Sequence, residues 1–295
     1  MTQLTPPSPI GYDTLFNLKG QVAIVTGASR GIGQAIAEAM ATHGARMVIS
    51  SRKIAACEMV ADRIRQSGGD AIAIECNVSS RTALQSLVDQ VMSQWGQIDT
   101  VICNAAVNPY FGPLHKIDDE AYDKIMGTNV QNNLAFFAMV APQMADRCGG
   151  SVTIISSIAG LRATPNLGAY ALSKAADMQL ARSLAVEWGH ANIRVNCIAP
   201  GLVRTDMARV LWDDPEKLAR AENAYPLGRI GEPSDIAGVA VFLAAPAGRF
   251  ITGQTIVVGG GGAIFGGGPW VNRLSLITYA RLPRTFLLPL YALTP

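Results

Sequence analysis

The chain has 295 residues, of which 49% are hydrophobic and 16% are charged. This composition supplies a sizeable buried core and excludes an intrinsically disordered chain. The formal net charge is only +2 and there is no long basic run, which argues against a nucleic-acid partner. The five cysteines are scattered without a CxxC pair, which is typical of reduced thiols in a cytoplasmic protein. Three isolated histidines without an HExxH motif indicate no metal site.

The two ends of the chain differ in character from its middle. Residues 1–16 contain three Pro and one Ser and lack the basic and apolar segments of a secretory signal, so we predict a flexible N-terminal arm. Residues 263–295 form an atypical apolar tail with three arginines, no lysine and no acid, in which prolines break any long helix. We interpret this tail as an appendage of the core, with a membrane-surface or partner-binding segment as the alternative. No run approaches the ~20 apolar residues that span a bilayer.

Apolar strands alternate with helical stretches from residue 21 onwards. The predicted strands are QVAIVTG, ARMVISSRK, DAIAIECNV, IDTVICNAA, GSVTIISSIAG, IRVNCIAPG and GQTIVVGGG. Strands that alternate with helices form βαβ units, and nearly continuous apolar runs indicate strands covered on both faces. We therefore predict a single α/β domain over residues 17–262, a Rossmann-type doubly wound parallel sheet with helices on both faces.

A glycine-rich turn, TGASRGIG, follows the first predicted strand. Its glycines at positions 27, 31 and 33 are spaced GxxxGxG and precede a helix. Glycine lets the backbone turn tightly and approach a pyrophosphate, and the N-terminus of the following helix favours negative charge. The turn therefore predicts a dinucleotide-binding site.

The end of the second strand bears on the choice between the two nicotinamide dinucleotides. An acid here would bind the adenosine ribose and select NAD(H). The chain instead reads ISSRK, and Arg52 with Arg30 is suited to clamp a 2′-phosphate, with serine hydroxyls as further donors. We expect NADP(H) to be preferred and NAD(H) to be possible. The alternative for Arg52 is a solvated surface cation.

A tyrosine and a lysine lie four residues apart in the segment YALSK, at positions 170 and 174. In a helix they share one face, and an ammonium beside a phenol stabilises the phenolate. Hydride addition to a carbonyl leaves an alkoxide that needs a proton and nearby hydrogen-bond donors. The spacing alone also fits two residues on an ordinary helix face.

Together these segments resemble the short-chain dehydrogenase/reductase superfamily, in its subfamily of about 250 residues. The resemblance covers about residues 17–262 and rests on TGASRGIG, CNAAV, GTNV, IISSIAG, YALSK, APGLVRT and the C-terminal third of that range. The chain looks most similar to NADPH carbonyl reductases of the family. It departs from the family pattern at Asn77 and Gly259, where an acid is usual, and at Cys103 and Ala106 in the CNAAV segment.

The resemblance implies roles for individual residues. Tyr170 would exchange a proton with the substrate oxygen, and Lys174 would support Tyr170 and bind the nicotinamide ribose. Ser157, thirteen residues before the tyrosine, would hydrogen-bond the substrate oxygen. Asn129 would hold a water that connects Lys174 to solvent, with helix packing as its alternative role. Besides Tyr170 and Lys174, the cofactor would contact Gly27, Ser29, Arg30, Gly31, Ile32, Gly33, Ser51, Arg52, Asn77, Val78, Asn104, Ala105, Pro200, Gly201, Val203 and Thr205.

The implied activity is that of an NADP(H)-dependent oxidoreductase that interconverts a ketone or aldehyde and its alcohol. We expect a small hydrophobic substrate to lie among three variable segments that contain Tyr110, Phe111, Leu161, Asn166, Met207, Leu211 and Trp212. Ordinary packing is the alternative for the aromatic residues. A 3-oxoacyl-carrier-protein reductase is the alternative activity, and a non-catalytic NADP-binding sensor or scaffold is the alternative from another class. Because the family commonly assembles through the helix of Tyr170 and the helix before it, we expect a homodimer or homotetramer.

Overall fold

Seven parallel strands form one sheet at the centre of the computed structural model, which describes residues 11–265. The strands are β1 (Val22–Thr26), β2 (Arg46–Ser51), β3 (Asp70–Glu75), β4 (Thr100–Cys103), β5 (Gly150–Ile155), β6 (Ile193–Pro200) and β7 (Thr255–Val258). Their spatial order is β3-β2-β1-β4-β5-β6-β7. The direction of winding reverses between β1 and β4, and ligands bind at the carboxyl ends of the strands at such a point.

The α-helices of the described range cover both faces of this sheet. They are α1 (Gly31–Thr42), α2 (Ile54–Gln66), α3 (Arg81–Trp95), α4 (Asp119–Met126), α5 (Asn132–Asp146), α6 (Gly168–Trp188), α7 (Pro215–Asn223) and α8 (Pro233–Ala244). Helices α3, α5 and α6 pack on one face, and α1, α2 and α8 pack on the other. The predicted doubly wound α/β fold is confirmed.

The β1 strand shows why its sequence is apolar without a break. Val22 and Ile24 point into the cluster beneath α3, α5 and α6, while Ala23 and Val25 point into the cluster beneath α1, α2 and α8. Side chains of a strand alternate between faces, so a strand covered on both faces has apolar residues at every position. Each fully buried aliphatic side chain contributes about 1.5–3 kcal/mol to folding.

Helices α4 and α5 form one continuous rod with a π-helical segment, Gly127–Gln131, between them. The Asp118 side chain starts the rod by accepting a hydrogen bond from the Ala121 N–H at 2.7 Å. Single π-helical turns inside α-helices are frequent at functional sites, and this one contains Asn129. The sequence pattern predicted a helix at this position but not its π-helical winding.

The ends of the chain are described only in part. Residues 1–10 of the predicted arm and residues 266–295 of the predicted tail lie outside the described residues. The Leu15 carbonyl accepts a hydrogen bond from Ala247 at 2.8 Å, and the Phe16 ring centroid lies 6.4 Å from that of Phe242 in α8. The end of the predicted arm therefore contacts the domain. Within residues 11–265, every helix is too short or too polar to cross a membrane.

Candidate active site

The glycine-rich turn between β1 and α1 is held in place by Thr26 and Asn104. The Asn104 amide donates to the carbonyls of Thr26 at 2.9 Å and Gly27 at 3.1 Å. The Thr26 hydroxyl accepts from the backbone N–H groups of Asn104 and Ala105 at 3.0 and 3.2 Å. The ends of β1 and β4 are thus joined at the point where the turn begins. The sequence predicted Asn104 as a site residue but not Thr26. The one sequence feature that indicates Thr26 is that it is a polar residue at the end of an apolar strand.

The shape of this turn fits the pyrophosphate of a dinucleotide. Gly27 and Gly31 have φ values of 65° and 58°, which favour glycine. A Cβ on Gly33 would lie 2.5 Å from the Asn104 amide nitrogen and 2.6 Å from the Gly27 carbonyl oxygen. Arg30, the N-cap residue of α1, makes no side-chain hydrogen bond to the first turn, so its side chain does not occupy the N–H groups there. Free N–H groups at a helix N-terminus bind phosphate, and the crowded glycines bring them close to it.

The two arginines predicted to hold a 2′-phosphate have different surroundings. Arg52 follows β2, is exposed, and makes no hydrogen bond or ion pair within residues 11–265. Arg30 forms an ion pair with Asp206 at 2.9 Å, and both side chains are mostly exposed. Arg30 therefore links the glycine-rich turn to the segment after β6. The Ser51 hydroxyl already has two partners within the protein: it accepts a hydrogen bond from the Lys53 N–H at 3.2 Å and lies 3.1 Å from the Cys57 sulfur.

The remaining predicted cofactor residues lie at neighbouring strand ends. Asn77 follows β3, and its side-chain oxygen accepts from the Ser79 N–H at 3.1 Å, while Val78 packs against the core. Pro200 ends β6, and the Gly201 N–H donates to the Val258 carbonyl at 2.9 Å. A Cβ on Gly31 would lie 3.3 Å from the Thr205 methyl group, so the segment after β6 lies against the glycine-rich turn. These residues all lie at or just after the carboxyl ends of parallel strands.

Tyr170 and Lys174 lie one turn apart on α6, beside the end of β5. The Lys174 Nζ atom is 5.7 Å from the centroid of the Tyr170 ring. Tyr170 is partly exposed, and its hydroxyl has no hydrogen-bond partner in the described part of the chain. Ser157 has extended backbone, and its hydroxyl accepts from the Ala159 N–H at 3.1 Å. The Tyr170 hydroxyl is therefore not engaged by another side chain of residues 11–265.

Close packing joins the Ser157 turn to α6. The Ser156 hydroxyl donates to the Lys174 carbonyl at 2.8 Å. A Cβ on Gly160 would lie 2.7 Å from the backbone nitrogen of Ala175 and 2.7 Å from the carbonyl carbon of Lys174. Only a glycine allows this approach, which brings the turn that carries Ser157 onto the helix that carries Tyr170.

Asn129 in the π-helical segment is fully buried and fully hydrogen-bonded. Its side-chain oxygen accepts from the Val107 N–H at 2.9 Å, and its amide donates to the Val107 carbonyl at 3.1 Å and the Ser173 hydroxyl at 3.0 Å. These bonds tie the loop after β4 to α6. The backbone carbonyl of Asn129 accepts a hydrogen bond from the Asn133 side chain.

Lys174 has a charged partner that sequence reasoning did not identify. Its Nζ donates to the Asp177 carboxylate at 3.0 Å and to the Ile155 carbonyl at 2.9 Å. Burial alone would lower the pKa of Lys174, but Asp177 and then Tyr170 outweigh burial, so the pKa is raised. Burial raises the pKa of Asp177, against the opposing effect of the Lys174 ammonium. In the sequence, this partner is indicated only by an acid one helical turn after the lysine in the segment SKAADM.

The predicted substrate residues lie in three segments, which follow β4, β5 and β6. Phe111, Leu161, Met207 and Leu211 are exposed apolar side chains. The first two segments are joined by a hydrogen bond from Gly112 to the Asn166 carbonyl at 3.0 Å.

The two remaining aromatic candidates pack locally. The Tyr110 hydroxyl donates to the Pro113 carbonyl at 2.8 Å. The Trp212 indole donates to the Thr205 carbonyl at 3.2 Å, and the Arg204 guanidinium lies 5.1 Å from the Trp212 ring centroid. The segment after β6 is therefore folded onto itself. No group of three or more His, Cys, Asp or Glu side chains suited to a metal occurs within residues 11–265.

The fold and the cleft define the class of protein. A parallel sheet with a glycine-rich turn at its switch point is a Rossmann-type dinucleotide-binding fold. The family model described as enoyl-(acyl carrier protein) reductase matches residues 27–262.

Relatives and solved structures agree with this class. Dehydrogenase/reductase SDR family member 4 of Bos taurus is 40% identical over 244 residues, which cover 83% of this chain and 88% of that protein. A 7 alpha-hydroxysteroid dehydrogenase complexed with NADH and 7-oxo glycochenodeoxycholic acid has a TM-score of 0.82 and 36% identity, covering 86% of this chain and 98% of its own. A gluconate 5-dehydrogenase from Burkholderia cenocepacia, in complex with NADP and tartrate, has a TM-score of 0.81 and 30% identity, covering 85% and 98%.

The chain belongs to the short-chain dehydrogenase/reductase superfamily. It is an oxidoreductase of that family, whose fold binds a nicotinamide dinucleotide.

Proposed function

We propose that this enzyme interconverts a ketone or aldehyde and the corresponding alcohol with NADP(H), using Tyr170 as the acid and base. One observation carries the proposal: a buried ammonium, Lys174, lies 5.7 Å from the ring of a tyrosine whose hydroxyl makes no bond within residues 11–265. The turn that carries Ser157 packs directly against the same helix. This arrangement offers a proton and a hydrogen-bond donor at one point of the cleft.

The protein side chains have separate tasks in this reaction. The bound dinucleotide supplies the hydride for reduction or accepts it in oxidation. Ser157 hydrogen-bonds the substrate oxygen, and Tyr170 gives its proton to that oxygen as the alcohol forms. Lys174 places a positive charge near the phenol and stabilises the phenolate that remains. In oxidation the same phenolate takes the proton from the alcohol.

The preference for NADP(H) is supported by the residues at the end of β2. The Ala28 N–H of the glycine-rich turn donates to the Ser50 carbonyl at 3.1 Å, so Arg52 follows a strand end that borders this turn. No carboxylate occupies the ISSRK segment, so this segment lacks the acid that would bind two ribose hydroxyls and repel a phosphate. The similar proteins of known structure include complexes with NADH and with NADP, so the proposed preference rests on these local residues.

The substrate proposal is a small hydrophobic carbonyl compound or alcohol. Phe111 and Met207 expose 64% and 61% of their surface. The arginines of the segment after β6 are paired with acids, Arg204 with Glu232 at 2.9 Å and Arg209 with Asp213 at 3.3 Å. Their charges are offset, which favours an uncharged ligand over the acyl carrier protein of a 3-oxoacyl reductase. A panel of ketones, aldehydes and acetoacetyl thioesters with both cofactors separates these activities.

We also propose that the enzyme is a cytoplasmic homodimer or homotetramer. Its cysteines are unpaired, and Cys57, Cys76, Cys103 and Cys197 are buried. Leu134 on α5 and Leu172 and Val186 on α6 are exposed apolar side chains, as expected of helices that bury a face against a second copy. Light scattering on the purified protein measures the number of subunits.

Replacing Tyr170 tests the proposed chemistry. Tyr170→Phe keeps the ring but removes the proton, and we expect the turnover of a reduced ketone to fall by about 10²–10⁴-fold. Tyr122→Phe, on the partly exposed face of α4, is the matched control and should keep wild-type turnover. Wild-type turnover in Tyr170→Phe would show that the catalytic assignment is wrong. NADPH binding by the wild type without turnover of any panel compound would favour the sensor or scaffold.

A further inference from the structure

A carboxylate that the proposed mechanism does not use lies at the centre of the catalytic helix. Asp177 has 0% exposure, and its Oδ2 atom accepts a hydrogen bond from Lys174 Nζ at 3.0 Å. Its other oxygen, Oδ1, accepts from the Asn133 amide at 3.1 Å. The second N–H of the same Asn133 amide donates to the Asn129 carbonyl. A continuous set of hydrogen bonds therefore runs from Lys174 through Asp177 and Asn133 to the π-helical segment.

Within residues 11–265, Lys174 is the only charged group that acts on Asp177. Asn133 on α5 is neutral, and the Cys197 thiol of β6 donates to the Asp177 carbonyl at 3.4 Å. Burial, and next the Asp177 charge, raises the pKa of Cys103 on β4 to about 12 and also raises the pKa of Cys197. Both thiols therefore stay protonated. On α6 itself, Lys174 and the phenol of Tyr170 are the ionisable neighbours.

An ammonium at this depth needs a counter-charge. Lys174 is 2% exposed, and removing a charged amine from water favours its neutral form. A neutral amine would no longer stabilise the Tyr170 phenolate. The carboxylate of Asp177 offsets that cost, because two opposite charges 3.0 Å apart in a buried site attract each other strongly.

The same contacts set the direction of the lysine side chain. An ammonium has three N–H groups, and two of them are used by Asp177 and the Ile155 carbonyl. One N–H remains for the cleft, where the nicotinamide ribose would lie. Asn133 in turn holds the carboxylate, so the orientation of Lys174 is determined from two helices, α5 and α6.

We propose that Asp177 is a positioning residue that keeps Lys174 protonated and aimed at the cleft, and that Asn133 holds Asp177 for this task. The side chains of Asp177 and Asn133 thereby connect Lys174 to the Asn129 carbonyl. The family resemblance instead implies a water held by Asn129 that connects Lys174 to solvent. This inference rests on the proposed role of Tyr170 and Lys174 as the catalytic pair.

The variant that tests this role is Asp177→Asn. It keeps the shape and an acceptor oxygen but removes the charge, so Lys174 should lose its proton at a lower pH. The readout is the pH profile of kcat/KM for alcohol oxidation, which requires the phenolate. We expect kcat/KM at neutral pH to fall by about tenfold. We also expect the pH at which kcat/KM rises to increase by roughly one unit. Glu187→Gln, which removes an exposed carboxylate from the same helix, is the matched control and should leave the profile unchanged.

Two results would overturn the proposal. An unchanged pH profile in Asp177→Asn would show that the carboxylate only fills space. Faster oxidation at neutral pH would show that Asp177 weakens the influence of the ammonium on Tyr170 instead of sustaining it. Ultraviolet titration of tyrosinate in Asp177→Asn, with and without Tyr170→Phe, assigns the displaced ionisation to Tyr170.

Further variants keep the test decisive. Asp177→Glu restores the charge and should recover most of the wild-type profile. If Asp177→Asn fails to fold, Asn133→Ala removes one hydrogen bond to the carboxylate from a partly buried position and should displace the profile in the same direction by a smaller amount. An unchanged profile in that variant counts against the proposal. Wild-type and Tyr170→Phe enzymes in the same assay test the proposed function separately, because full activity of Tyr170→Phe would reject the catalytic pair whatever Asp177 does.

Discussion

Three cations belong to the proposed cofactor site, and their surroundings are unlike one another. Lys174 is buried against Asp177, Arg30 is exposed and paired with Asp206, and Arg52 is exposed with no partner within residues 11–265. An exposed ion pair contributes at most about 1 kcal/mol, so Arg30 can exchange Asp206 for a phosphate at little cost. Lys174 cannot leave its partner without stranding a buried charge. The arginines are therefore suited to recognise a ligand, and the lysine is suited to a constant position.

Arg52 makes the cofactor preference testable at one side chain. We expect Arg52→Ala to raise KM for NADPH by about tenfold, since a hydrogen bond to a charged group is worth about 1.5–3 kcal/mol. KM for NADH should change little, because NADH has no 2′-phosphate. Steady-state kinetics with both cofactors measures this difference. Lys53→Ala at the neighbouring exposed position is the control, and an equal rise for NADH in Arg52→Ala would contradict the proposed phosphate contact.

At the scale of secondary structure, the active site depends on how closely elements approach. The turn after β5 touches the α6 backbone at Gly160, and the loop after β4 is clamped to the π-helical segment by Asn129. Helix α6 thus receives contacts from two separate loops. Small displacements of either loop move Ser157 or the substrate segment relative to Tyr170.

Two glycine-to-alanine variants test this close approach. In Gly160→Ala the new Cβ would lie 2.7 Å from backbone atoms of α6, so the turn must move; we expect a cost of about 1–3 kcal/mol in unfolding free energy and a clear loss of turnover. Gly238→Ala, at an exposed position of α8, is the matched control, because nothing in the described structure lies within 4 Å of the new Cβ. It should stabilise the protein by about 0.5–1 kcal/mol and keep full activity. Chemical denaturation and turnover measure both effects, and an active, undiminished Gly160→Ala enzyme would refute the importance of this contact.

At the scale of the whole molecule, the two-faced core determines how folding depends on pH. Burial raises the pKa of the Cys103 thiol to about 12, so the folded state keeps a proton that the unfolded chain releases at lower pH. The stabilisation is complete below the unfolded pKa and is lost as the pH rises towards the folded value. The raised pKa values of Cys197 and Lys174 act in the same direction.

We therefore expect the protein to lose stability in alkaline solution. Between neutral pH and about pH 10, Cys103 alone should reduce the free energy of unfolding by about 2 kcal/mol. Urea denaturation at a series of pH values measures this loss. Cys103→Ala removes the thiol and should show a shallower decline than the wild type. A stability that stays constant or increases up to that pH would be contrary to the expectation.

Local patterns sufficed for much of this protein. Strands covered on both faces need apolar residues at every position, so the seven strands and the parallel sheet were predictable from short segments such as QVAIVTG. The glycine-rich turn and the Tyr170–Lys174 spacing are likewise local, because a turn and a helix face are set by residues within a few positions. The family followed from the joint occurrence of these motifs.

Contacts between distant residues were decided only by the tertiary structure. Arg30 and Asp206 are 176 positions apart, and Asn129 and Ser173 are 44 apart. Asn129 in the π-helical segment and Asn133 both form hydrogen bonds to α6, Asn129 to Ser173 and Asn133 to Asp177. Asp177 shows the difference most clearly: the sequence determined that an acid lies one turn beyond Lys174, where it would form a weak surface pair if exposed. Its complete burial between α6, α5 and the sheet removes water from the pair, and this turns an ordinary helix spacing into a strong electrostatic contact.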